Sequence, residues 1–221
     1  MTNEREPATL AERPLAYEHV FKDAEPGRRG EILAAALDVF SERGYSSGSM
    51  REIAQRVGVT EPALYRHFDS KDALFLALLK VGGGRARDEG IALINRIQPD
   101  HLRTQLIAAF ADRRRALRFY APLQRTVLTA ASRNPAFLTH YRDTVIDPIR
   151  ECLIEKAAEL DRALGIPNAD ATRDARVRAL LALVAGYLLS SLIIGDEPDE
   201  AVADGVLRIM GWDSAALLGE D

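Results

Sequence analysis

From residue 28 onward the apolar positions recur at helical spacing, and no run alternates like a half-buried strand. Ile32, Ala36, Val39 and Phe40 form one stripe, which predicts a helix over 28–45 that Gly44 stops. Ser49 then stands where an N-cap belongs, with Glu52 three residues on, so a capping box opens a short helix over 50–57. Gly58 ends it. Thr60 caps the next short helix, which ends near Phe68 and holds Pro62 in its first turn, where a missing N–H costs little. Ser70 caps a fourth helix that runs into Gly82-Gly83-Gly84. Each glycine costs about 1 kcal/mol inside a helix. The helix therefore stops there or continues weakened to Ile97. The favoured reading is the continuous one, ended by Pro99.

Further helices are predicted near 100–119, 121–133, 135–164, 170–195 and 199–210. Their breaks fall at Pro122, Asn134-Pro135, Gly165–Asn168 and Gly195–Pro198, and Pro148 should kink the helix that contains it. The expected fold class is all-α. Hydrophobic residues at 47% and charged residues at 28% exclude a chain disordered throughout. The single cysteine, Cys152, excludes a disulfide framework and a Cys-rich zinc site, and fits a reducing cytoplasm. The first 26 residues hold six acids against three bases and no basic-then-apolar leader. They are expected to form a flexible arm, within which 15–21 could dock or form a turn of helix.

Met50 to Phe68 is the informative stretch. Two short helices share a tight turn at Gly58, Ile53, Val57, Val59, Leu64 and Phe68 are apolar, and Ala54 is small where the helices must cross. That pattern suits a helix-turn-helix whose second helix enters a DNA major groove, and it also suits an ordinary helical hairpin. The longer pattern decides between them. Gly44-Tyr45, Ser49 to Ala54, Val57 to Thr60, Leu64-Tyr65-Arg66-His67-Phe68, Lys71 and Leu74 together resemble the DNA-binding domain of the TetR family of transcription regulators. The resemblance is specific over about residues 28–80 and architectural beyond. One departure is Gly48, where the family often has a hydroxyl residue that some members place on a phosphate; Ser46 or Ser47 could substitute.

The resemblance implies a helix-turn-helix domain at 27–80, a helical effector-binding and dimerisation domain at 81–215 and a tail at 216–221. It implies backbone contacts for Tyr65 and His67 and a phosphate contact for Lys71. From the residues themselves, Thr60 opens the recognition helix, where a hydroxyl and free N–H groups can meet a phosphate. Glu61, Pro62, Ala63 and Arg66 would face base edges. Arg66 alone among them can make a bidentate guanine contact, with a phosphate contact the equal alternative. Ser49 lies at the start of the preceding helix. Bases barely outnumber acids from 27 to 80, eight to seven. A DNA-facing patch must therefore come from placement, and Arg28, Arg29, Arg51, Arg66 and Lys71 can gather on one side.

Ala179 to Gly195 runs seventeen residues without a charge. A membrane span would need about 20 residues. A helix covered on one side by its own domain and on the other by a second copy explains it better, and Val202, Val206, Ile209 and Met210 give the last helix a matching stripe. A homodimer through the last two helices is expected, carrying two recognition helices to a palindromic double-stranded DNA operator. The candidate effector lining is Leu106, Phe110, Leu117, Phe119, Leu123, Val127, Phe137, Tyr141, Val145 and Leu183, which suggests a lipophilic small molecule. The basic run Arg113-Arg114-Arg115 with Arg118 reads as a solvated face or an anion site. No cofactor or metal set is implied, and there is no Ser-His-Asp set or phosphate loop, so enzymatic activity is not expected. The expected function is a cytoplasmic, ligand-released repressor. The alternatives are the same fold without an effector, or acting as an activator.

Overall fold

The computed structural model describes residues 18–193 and 199–212. The side chains of 18–19, 112–121, 188–193 and 199 lie outside that description, as do residues 1–17, 194–198 and 213–221. Every described element is helical. In chain order these are α1 Glu18–Ala24, α2 Arg28–Ser47, α3 Met50–Val57, α4 Glu61–Tyr65, α5 Lys71–Leu78, α6 Gly84–Arg96, α7 Leu102–Ala131, α8 Pro135–Tyr141, α9 Asp147–Ala163, α10 Ala169–Ile193 and α11 Asp199–Met210. Two π-turns complete them, Leu79–Gly83 and Arg142–Ile146.

The chain divides into two compact units. One holds residues up to Arg85 together with Phe119–Tyr141; the other holds Ala86–Arg118 and everything from Arg142. A segment from the middle of the chain thus belongs with the first unit. In that unit the α2 stripe of Ile32, Ala36, Val39 and Phe40 is buried, with Ile53, Leu64, Leu74 and Phe75. The mid-chain segment joins it through Phe137, whose ring centroid lies 4.7 Å from Phe75 and 5.3 Å from Tyr45. Residues 18–21 do more than form a turn: Val20 and Phe21 of α1 are buried. Gly30 makes room for the exit of α1, since a Cβ there would stand 2.3 Å from the Glu25 carbonyl oxygen.

The capping predictions hold residue by residue. Ser49 and Glu52 form the reciprocal box, at 3.2 Å and 3.0 Å. Gly58 takes the left-handed conformation at φ 74°, and Thr60 and Ser70 accept from Ala63 and Ala73 backbone N–H groups. Gly44, at φ 78°, departs from helical geometry, yet the chain turns on to Ser47.

The glycine run at 82–84 does not stop the chain; α5 passes through a π-turn into α6. Close packing favours glycine there, for a Cβ at Gly82 would sit 3.1 Å from Leu123. Pro148 falls in the first turn of α9 straight after the second π-turn, where the wider i→i+5 spacing accommodates its missing N–H. The break expected at Pro122 is absent. α7 runs through it, because a proline inside a long helix removes only one hydrogen bond while the remaining turns persist. Here Thr126 also returns its hydroxyl to the Pro122 carbonyl at 2.7 Å.

The second unit has its own core, built from Leu106, Phe110, Leu160, Val177, Val206, Met210 and Trp212. Phe110 meets Tyr187 edge-on with centroids 5.6 Å apart. Among the described residues no helix is long and apolar enough to cross a membrane.

Candidate nucleic-acid interface

Ile53, Ala54 and Leu64 are buried where α3 and α4 pack, which turns the remaining faces of both helices outward. Ala54 accepts the N–H groups of both Gly58 and Val59, so the turn is closed by backbone bonds alone. α4 has only five residues. It cannot hold a direction by its own hydrogen bonds and takes it from Leu64 beneath, the Thr60 cap in front and Phe68 behind.

On this frame Pro62, Tyr65, Arg66 and His67 are exposed, Glu61 and Ala63 are half-buried, and Thr60 is exposed at the helix start. Tyr65 is 43% accessible, so it is not a core residue. Arg51 is exposed on α3.

The cations differ in what they already hold. Arg28 pairs with Glu31 at 2.6 Å and reaches the Val57 carbonyl at 3.4 Å. Arg43 faces Glu52 at 3.8 Å, and Arg56 is bonded to Glu42 at 3.1 Å. The Lys71 amine donates to the Ser46 carbonyl at 3.2 Å and lies 4.5 Å from the Tyr45 ring centroid, and burial lowers its pKa. One of its three donors is thereby used, leaving two for a phosphate. Tyr45 in turn hydrogen-bonds Asp72, and burial followed by that bond raises its pKa. Arg51 and Arg66 hold no hydrogen bond or ion pair among the described residues. Glu52 is held low by the Ser49 backbone and hydroxyl, so it stays an anion inside its capping box. Gly48 is buried, while Ser46 and Ser47 beside it are exposed.

The candidate effector lining does not gather in one unit. Leu123, Val127 and Phe137 are buried in the first unit, where Tyr141 is half-buried. Leu106, Phe110 and Val145 are buried in the second, with Leu183 packed against its core. Phe137 in particular fills an aromatic cage with Tyr45 and Phe75. The Leu117 and Phe119 side chains, with the Arg113–Arg115 run and Arg118, lie outside the described residues. Arg29, grouped with the cations but not singled out, turns inward on the end of the recognition segment.

Among the described residues every element is helical, and a capped helix-turn-helix whose outer face carries a tyrosine and two arginines without a partner there has the form of the helix-turn-helix class. Residues 32–78 match the sequence model of the bacterial regulatory proteins of the tetR family, so the family likeness lies in the helix-turn-helix segment. It is 55% identical over 53 residues to the transcriptional activator FasR of Mycolicibacterium smegmatis, covering 24% of each chain. It is 41% identical over 54 residues to the transcriptional repressor KstR2 of Rhodococcus jostii, covering 24% of this chain and 26% of that one. The aligned part thus spans about a quarter of these relatives' length. The crystal structure of the transcriptional regulator FadR from Bacillus subtilis in complex with stearoyl-CoA shares the fold, with a TM-score of 0.64 at 16% identity over 81% of this chain and 96% of that one.

Proposed function

We propose that this protein is a dimeric transcription regulator that binds a palindromic operator and is released from it by a lipophilic small molecule. The observation that carries the reading is the outward face of the helix-turn-helix, where Arg51, Tyr65 and Arg66 are exposed and both arginines are unpaired among the described residues. Unpaired cations can displace the counterions of a phosphate backbone, and Arg66 on α4 stands where a base edge would come. Arg28 and Lys71 would add phosphate contacts while keeping their present carbonyl partners.

The outward side of α10 supports dimerisation through α10 and α11. Ala175, Ala179, Ala182, Ala185 and Gly186 are exposed there, and small side chains let two helices approach closely. Two copies would place recognition helices about 34 Å apart, one turn of DNA. Repression by operator occlusion is the expected sign. FasR is an activator and KstR2 a repressor, so likeness in the reading domain serves either sign. The stearoyl-CoA held by the Bacillus FadR supports an acyl-type effector. Such a protein works on the chromosome in the cytoplasm and needs no catalytic step.

The test is selection of bound fragments from sheared DNA of the source organism by purified protein at two salt concentrations. Enrichment of one or a few palindromic sites at both is the expected result. Retention at low salt alone, with no enriched motif, would overturn the reading.

A further inference from the structure

Arg29 stands in the first turn of α2, beside cations that could face DNA, but its guanidinium, although 39% exposed, is engaged by groups of its own chain. Nη1 donates to the His67 carbonyl at 2.7 Å. That carbonyl lies at the exit of the recognition segment, where a short helix leaves its last carbonyls without intrahelical partners. The same guanidinium lies 4.2 Å from the centroid of the buried Phe68 ring. Glu25, where α1 exits, pairs with its Nε at 3.5 Å. Glu25 can come so close because residue 30 is glycine.

We propose that Arg29 is a positioning residue for the recognition helix, holding the α4 exit in register while making no contact with nucleic acid itself. The need for such a residue follows from the length of α4. Five residues hold only a few internal hydrogen bonds, so the direction in which Tyr65 and Arg66 project depends on what fixes each end. Thr60 fixes the start and Arg29 the exit. Through Glu25, the helix α1 becomes part of the same brace, although it lies outside the matched family region. With Nη1 on the carbonyl and Nε on the carboxylate, a phosphate that took the whole fork of Arg29 would have to displace both.

The inference rests on the proposed DNA-binding reading, and its test has an arm that does not. Arg29→Met and Arg29→Lys are compared with Arg51→Met, the substitution of an exposed cation with no partner among the described residues. Affinity is measured over a salt series for the selected operator and for a random duplex, below each variant's unfolding transition. Amide hydrogen exchange at Leu64, His67 and Phe68 is followed in the free protein. Arg29→Met is expected to weaken operator binding about tenfold, the scale of a lost hydrogen bond from a charged group. Its random-duplex affinity stays within about twofold and its salt slope is unchanged, whereas Arg51→Met lowers the slope by about 0.9. Exchange at the three amides accelerates in Arg29→Met, and Arg29→Lys does not restore it, because an ammonium lacks the planar fork that bonds the carbonyl and stacks on the ring. A slope that falls in Arg29→Met and recovers in Arg29→Lys would mean a phosphate contact and overturn the proposal. Unchanged exchange would also overturn it. If wild-type protein selects no operator, the regulator reading fails, while the exchange result still decides the brace.

Discussion

The indole nitrogen of Trp212 donates to Oδ1 of Asp161 at 2.9 Å. The same carboxylate receives Arg176 at 2.6 and 3.0 Å and Arg173 at 3.1 Å, and it is only 2% exposed. Burial alone would raise its pKa. The bonds from Arg176, Trp212 and Arg173 together outweigh burial and hold it below the usual carboxylate range. Asp161 thus ties α9, α10 and the end of the chain into one charged knot within the second unit.

Asp161→Asn should cost about 3–5 kcal/mol at pH 7, because two arginines then face a neutral amide in a buried site. Urea unfolding followed by the fluorescence of Trp212, the one tryptophan in the sequence, reads this directly. The folded pKa lies below the unfolded one, so the stabilisation is complete above about pH 4 and is lost as pH falls through the folded value. The gap between wild type and variant should close toward pH 2. A gap independent of pH would remove the ionic account.

Asp38 behaves in the opposite sense. Burial pushes its pKa up to about 6, against the lowering by Arg56 and with a further rise from Glu42. The native state therefore holds this proton more tightly than the unfolded chain. Its contribution is full below about pH 4 and is lost as pH rises through 6. Asp38→Asn should raise the thermal midpoint at pH 7.5, by at most about 3 kcal/mol of stability, and by much less at pH 4.5. A gain of equal size at both pH values would show that the effect is not the proton.

Gly48 has φ −64°, which any residue adopts, so its smallness serves space and not conformation. A Cβ there would lie 2.9 Å from Val39 Cγ1 and 3.0 Å from Phe40 Cδ1. Gly48→Ser, which supplies the hydroxyl the family pattern favours, should destabilise the protein by about 1–3 kcal/mol through overpacking. Unchanged thermal stability in the serine variant would show that Val39 and Phe40 move aside freely.

The exposed face of α4 makes two kinds of prediction. Tyr65→Phe should weaken binding to the operator and to its single-base variants alike, by about 1 kcal/mol. Arg66→Ala should relax preference at one base pair by about 1–3 kcal/mol. Uniform loss across all operator variants in Arg66→Ala would make it a phosphate ligand.

Local chemistry was legible in the residues. Ser49 with Glu52, Gly58, Thr60 and Ser70 each act within four residues, so their spacing alone determines where helices start and stop. Non-local choices were not legible. An apolar spacing says that Phe137 is buried but not against what, and its ring packs against Tyr45 and Phe75. A count of arginines cannot distinguish Arg51, which has no partner among the described residues, from Arg29, which is held by His67. Pro122 marked a break by its chemistry, yet α7 is long enough to lose one bond and continue. The triple glycine marked a weakness without revealing the π-turn that occupies it.

The discontinuity of the first unit sets a rule for grafting. A chimaera that joins residues 1–85 to a foreign sensing domain would carry the reading helices but leave Phe137 behind. Tyr45 and Phe75 would then frame an unfilled hole, and Ser41 would lose the guanidinium that Arg125 donates to its carbonyl at 3.0 Å. A transplant that keeps residues 119–141, or a host helix offering an aromatic at the same place, retains the plug. The exchangeable module of this protein is a shape assembled from two stretches of chain, and a cut made along the sequence alone would divide it.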